Sequence, residues 1–306
     1  MEALLADGAR VTVVDDLSTG ALANLDAVRG HPQLCFVHAK VSGCPDLGRL
    51  VAGAEGIFHL AAAVGVDLVV RSPIQTIRTN LDETEAILAA AGEHQVPILL
   101  ASTSEVYGKS QKEEFAEEDD LLIGPPHPGR WSYACSKLMD EFLGLAYARE
   151  RGLPVVIARL FNTVGPRQSG HYGMVLPRFI EAARAGRPLR VFGDGTQTRC
   201  FCHVSDAVEA LRRLSNCPEA RGQVVNVGGT EEVRIRDLAE LVIQTVNSPS
   251  VVEYVSYDDA YAPGFEDMHR RRPSVEKLAR LTGFRARIPL PEIVRRTAAS
   301  SPQGAA

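Results

Sequence analysis

The chain has 306 residues, 45% of them hydrophobic and 23% charged, with a formal net charge of −5. That length supports a large core in one or two domains, and the slight acidity lacks the basic face that a nucleic-acid partner needs. No stretch is long and apolar enough to span a membrane, and the N-terminus has no basic region followed by an apolar one, so a cytoplasmic protein without a membrane partner is expected.

Residues 2–7 look like the end of a helix closed by Gly8. Val11-Thr12-Val13-Val14 is a β-branched run of the kind found in buried parallel strands. Similar runs follow at Leu34–Val37, Gly56–Leu60, Ile98–Ala101 and Val155–Ala158. Helical patterns lie between them at about 21–29, 46–53, 75–95 and 132–151. This alternation predicts an α/β fold: a Rossmann-like, doubly wound parallel sheet with helices on both faces. After Pro166 turn signals multiply (Gly186-Arg187-Pro188, Gly193-Asp194-Gly195), which marks 166–297 as a smaller α/β domain with segments returning to the domain of 1–165. The small, polar tail 298–306 is expected to be disordered.

The six cysteines show no paired spacing and read as reduced thiols. Cys200-Phe201-Cys202-His203 lacks a second ligand pair, so no metal site is expected. His269-Arg270-Arg271-Arg272 reads as a solvated or small-anion patch.

The segment richest in chemistry is Ser132-Tyr133-Ala134-Cys135-Ser136-Lys137. Tyr133 and Lys137, four apart, share one helix face. A nearby ammonium favours the phenolate, which can take a proton from a sugar hydroxyl while hydride leaves the same carbon. Upstream, the strand at Ile98–Ala101 runs into Ser102-Thr103-Ser104-Glu105-Val106-Tyr107-Gly108. Ligands of open parallel sheets bind at the carboxyl ends of strands, where these hydroxyls and Glu105 fall.

Together these two motifs resemble the extended short-chain dehydrogenase/reductase family, the NAD-dependent epimerases and dehydratases of nucleotide sugars, over residues 2–297. The resemblance implies catalytic roles for Thr103, Glu105, Tyr133 and Lys137. It implies NAD held by Asp15 and Asp16 at the ribose, by Leu60, Ala61 and Ala62 beneath the cofactor, and by Asn80, Tyr133 and Lys137. The acidic Asp15 suits NAD over its 2′-phosphorylated counterpart. A UDP-sugar would meet Asn162, Val175, Phe192, Arg199 and Arg271, with both arginines near phosphate. Relatives commonly form homodimers through a four-helix bundle, here from 75–95 and 132–151.

The sequence departs from the family at two places. The first strand and its Gly-x-x-Gly-x-x-Gly loop are absent, the chain starting inside the following helix. A misplaced start or shortened gene is the expectation. Lys40 stands where relatives carry an aspartate for the adenine amine, and an ammonium cannot accept that bond. The shared first step is oxidation at C4 of the sugar. The balance falls on a 4-epimerase, because Arg130–Lys137 and Gly173–Pro177 resemble epimerases. The alternatives are a glucuronate decarboxylase or 4,6-dehydratase using Glu105, and a non-catalytic sugar-nucleotide-binding remnant.

Overall fold

In the computed structural model the described residues are 1–63, 72–127, 131–168, 170, 174–256 and 268–299. A short helix α1 (Glu2–Ala6) leads through Gly8, whose φ of 82° turns the chain, into β1 (Val11–Asp15). Strand β2 (Leu34–His38) runs parallel to β1 over all five residues. Then come α2 (Leu47–Ala52), β3 (Ile57–His59), α3 (Pro73–His94), β4 (Ile98–Thr103), α4 (Ser132–Arg151) and β5 (Val155–Leu160). Beyond these lie β6 (Thr163–Val164), α5 (Val175–Arg184), β7 (Leu189–Phe192), β8 (Thr198–Cys200), β9 (Cys202–His203) and α6 (Val204–Ser215). The last elements are β10 (Gln223–Val227), β11 (Glu232–Arg234), α7 (Ile235–Thr245), β12 (Val252–Val255), α8 (Glu276–Thr282) and α9 (Leu290–Ala299).

The central sheet is parallel, in the order β10-β5-β4-β3, so a strand from the second half of the chain closes its far edge. Successive residues of β4 and β5 serve opposite faces, as strand geometry requires. Ile98, Leu100, Val155 and Ile157 pack with Ile87, Leu88 and Ala91 of α3. Leu99, Val156 and Ala158 pack instead with Ala207, Leu211 and Leu214 of α6 and Leu278 of α8. Strands buried on both faces read as continuous apolar runs, which is why these were legible. A separate core joins α5, β7, α7 and α9 through Leu176, Phe179, Leu189, Leu238 and Ile293.

The pair β1-β2 forms its own two-stranded sheet, and among the described residues no strand links β1 to β3. Two expectations need correction. Residues 21–29 contain only a 3-10 turn, Leu22–Leu25, with no buried residue. A short periodic segment without a packed face does not hold a helix. Residues 298 and 299 were expected in a disordered tail but close α9, Ala298 being buried; 300–306 lie outside the described residues.

Candidate active site

At the carboxyl end of β4 the chain makes a 3-10 turn, Ser104–Tyr107. Its alternate residues divide between core and cleft. Ser104, Val106 and Tyr107 are buried; Tyr107 stacks on Phe115 at 4.8 Å and donates its hydroxyl to Asn226 Oδ1 at 2.8 Å. Thr103 and Glu105 are left facing outward, and the Glu105 N–H donates to Thr103 Oγ1 at 3.3 Å.

Helix α4 brings the other partners. Gly144 lets it press against the sheet: a Cβ there would stand 2.7 Å from Leu100 Cδ1. This close approach sets Tyr133 beside the end of β4, with its phenol near the Thr103 side chain. Burial first, then the Glu105 and Asp140 charges, hold the phenol well above its ordinary pKa, and Thr103 opposes them. A lysine-depressed phenol was expected. The Lys137 ammonium is instead committed to Asp140 Oδ2 at 2.8 Å, with only 3% and 2% of the two residues exposed.

Asn80 ties the site to the neighbouring strand. Buried on α3, it accepts from Ala63 N–H at 2.8 Å and donates to Ser136 Oγ at 2.9 Å, and Ser136 in turn donates to the Tyr133 carbonyl at 2.9 Å. Beneath, Arg159 on β5 grips Glu141 of α4 through Nε at 3.0 Å and a terminal nitrogen at 2.8 Å, and Ser102 Oγ donates to the same carboxylate at 2.5 Å. Sequence reading passed over Ser136, Asp140, Glu141 and Arg159. Only Ser136, one turn after Tyr133, carried a positional hint.

The three consecutive arginines part company. The segment is pinned by Phe115 N–H to the Arg272 carbonyl and by Ser274 N–H to the Phe115 carbonyl, each at 2.9 Å. Arg270 then pairs with Glu232 at 2.8 Å, Arg271 with Glu105 at 3.3 Å and Arg272 with Glu114 at 3.7 Å. The solvated-patch expectation therefore fails for Arg271, whose side chain is largely buried beside Glu105.

The remaining sites of interest are spread more widely. Asn162 donates to the Cys200 carbonyl at 2.9 Å with φ of 27°, so it braces β8. Val175 opens α5, and the Arg178 guanidinium lies 4.5 Å over the Phe192 ring at the end of β7. Arg199, buried on β8, donates to the Thr198 carbonyl at 2.7 Å. Asp15 is exposed at the end of β1 and accepts from Leu17 N–H at 2.7 Å. Asp16 accepts from Ser18 N–H at 3.0 Å, and the Lys40 charge acts on its carboxylate. Leu60 and Ala61 are exposed just past β3, and Ala62 is half-buried. Arg130 and Gly173 lie outside the described residues.

A family model described as the NAD dependent epimerase/dehydratase family matches residues 1–228. The chain belongs to that family. It is 39% identical over 284 residues to a UDP-N-acetyl-alpha-D-glucosaminuronate decarboxylase of Bacillus cytotoxicus, covering 92% of this chain and 87% of the relative. It is 34% identical to UDP-glucuronic acid decarboxylase 1 of Xenopus tropicalis, covering 96% of this chain and 66% of the relative. The solved UDP-glucuronic acid 4-epimerase of Bacillus cereus, in complex with UDP-glucuronic acid and NAD, superposes with a TM-score of 0.86 at 25% identity, over 97% of this chain and 93% of that one.

This epimerase/dehydratase is an enzyme of an NAD-dependent family, and part of its structure fits that cofactor. The exposed Asp15 carboxylate at a strand end suits ribose hydroxyls. The small residues Ala61 and Ala62 past β3 leave room for a flat ligand.

Proposed function

We propose that this chain decarboxylates a UDP-hexuronate through a 4-keto intermediate. The observation that carries the reading is the Arg271–Glu105 pair at 3.3 Å, set beside Thr103 and Tyr133. A uronate needs a cation for its C6 carboxylate, and Arg271 is a guanidinium in the cleft. Its contact with Glu105 supports a role toward the sugar, where the sequence resemblance implied a role near the diphosphate.

NAD, when bound, would supply the acceptor and later the donor of the C4 hydride. Tyr133 takes the C4 hydroxyl proton, and Thr103 holds that oxygen. The C4 ketone stands β to the C6 carboxylate, so breaking the C5–C6 bond releases carbon dioxide and sends its electron pair to the C4 oxygen. Thr103 and Tyr133 bear that charge. Arg271 orients the carboxylate, and Glu105 keeps the guanidinium in place. C5 then takes a proton from water, and Tyr133 returns its proton to the C4 oxygen as hydride comes back. The sum is uronate plus one proton giving pentose-type sugar plus carbon dioxide.

The 4-epimerase reading is supported by the likeness to a UDP-glucuronic acid 4-epimerase. Incubation with NAD and either UDP-glucuronate or its 2-acetamido counterpart separates the two. Release of carbon dioxide that Arg271→Met suppresses supports the decarboxylase, whereas the C4 epimer of unchanged mass from both chains sinks it.

We further propose a homodimer in the cytoplasm, with 166–297 contributing most of the sugar-nucleotide side. Ile74 and Ile77 of α3 and Met139 and Phe142 of α4 are exposed apolar side chains on two helices packed together, Ile74 at 72% and Phe142 at 63%. Phe142→Glu should convert a dimer to a monomer in sedimentation. A wild-type chain that sediments as a monomer would remove the dimer. The six cysteines are free, as expected in a reducing compartment.

A further inference from the structure

Lys137 does not stand alone behind Tyr133. Asp140 follows it by one helical turn and takes its ammonium at 2.8 Å, both residues being almost completely buried. The other carboxylate oxygen, Oδ1, is buried with no hydrogen-bond partner among the described residues. Beside the acid, Thr84 Oγ1 of α3 meets His59 Nε2 of β3 at 3.2 Å. Lys137 is therefore the group that answers the Asp140 charge.

We propose that Asp140 is a positioning residue: it holds the Lys137 ammonium on the core side of α4 and so limits how much of that charge reaches the Tyr133 phenol. The proposal rests on Tyr133 as the base but not on the choice of sugar.

Burying an ion pair costs more desolvation than a packed apolar pair, so its presence next to the reacting groups calls for a use beyond stability. The charges around Asp140 define that use. On its own helix are Lys137, which attracts it, and Glu141, which repels it. Glu141 is already matched by Arg159 of β5. On β3, burial and the Lys137 charge drive the His59 pKa down to about 3, so this ring is neutral and Lys137 is the cation paired with Asp140. Across the cleft, Glu105 acts on Tyr133 in the same sense as Asp140, both opposing ionisation of the phenol. Asp140 has a raised pKa itself, from burial first, with Lys137 and Thr84 working against that. Removing its charge while keeping its shape frees Lys137 to favour the phenolate. Tyr133 then gives up its proton at lower pH.

The test is an alkaline titration of the whole chain, followed by phenolate absorbance, in wild type and Asp140→Asn. Each is repeated with Tyr133→Phe so that the Tyr133 contribution is read as a difference. The expected result is a Tyr133-dependent band that emerges about one pH unit or more lower in Asp140→Asn. The acid limb of the kcat profile of the NAD-loaded enzyme should move the same way, with KM little changed. Emergence at the same pH in both chains, or in neither, overturns the proposal. Should Asp140→Asn not fold, Asp140→Ser carries the test, because it removes the same charge from Lys137. A shift of the same sign supports the proposal, and a folded Asp140→Ser without one overturns it. The titration needs no substrate, so a failure of the decarboxylase reading leaves it intact.

Discussion

The two sides of the candidate cofactor cleft are built differently. On the catalytic side, β4 and β5 are mostly buried, and the polar groups behind Tyr133 link three elements through Asn80, Ser136, Glu141 and Arg159. On the adenosine side, β1 buries only Val11 fully, and the bonds that Asp15 and Asp16 accept come from residues two positions away. One side is positioned by the core and the other by local turns. A proton-transfer site needs fixed geometry to be effective, whereas a ribose-binding carboxylate can tolerate a looser frame.

The largest effect is expected where the rigid side does its chemistry. Tyr133→Phe should lower kcat by about 100- to 10,000-fold with the fold unchanged, read as product formed per enzyme. A rate near wild type would detach Tyr133 from the reaction.

The frame of that side should prove costly to break. Arg159→Met leaves the Glu141 carboxylate buried and unmatched, and an unfolding titration in urea should show a loss of about 3–5 kcal/mol. A loss below about 1 kcal/mol would mean that the buried network does not carry this side.

His59 tests the same side through pH. Its pKa falls from 6.5 to about 3, by burial first and then by the Lys137 charge. The folded chain therefore refuses a proton that the unfolded chain accepts. The stability this group contributes is complete above the unfolded value of 6.5 and is lost as pH falls toward 3. The slope approaches about 1.4 kcal/mol per pH unit. His59→Gln should flatten that part of the urea-midpoint curve between neutral pH and pH 5, and an unchanged slope would show that other groups set it.

The smallest effect belongs to the looser side. Val13 is only half-buried on β1, so Val13→Ala should cost about 1 kcal/mol or less in the same urea assay. A loss as large as that of Arg159→Met would erase the difference between the two sides.

Local order decided much of what could be read from the sequence alone. Five apolar runs became β1 to β5, and the pattern at 132–151 became α4 with the same ends. Tyr133 and Lys137 share a face because helical periodicity acts between near neighbours, and Thr103 and Glu105 stand at a strand end because the strand stops there. The segment 21–29 had a helical pattern too, but none of its residues is buried, and pattern without burial was not enough.

Only the tertiary structure decided the partners of the charges. Arg270, Arg271 and Arg272 are equivalent in the sequence, yet they meet Glu232, Glu105 and Glu114, and the pair that defines the cleft joins residues 166 positions apart. Asp140 carries no distinguishing signal in the sequence, and only burial leaves Lys137 as its counter-ion. The reason is physical. Periodicity is a property of neighbours along the chain, whereas the strength of a charge interaction depends on distance and on exclusion of water, and both are fixed only when the whole core has closed.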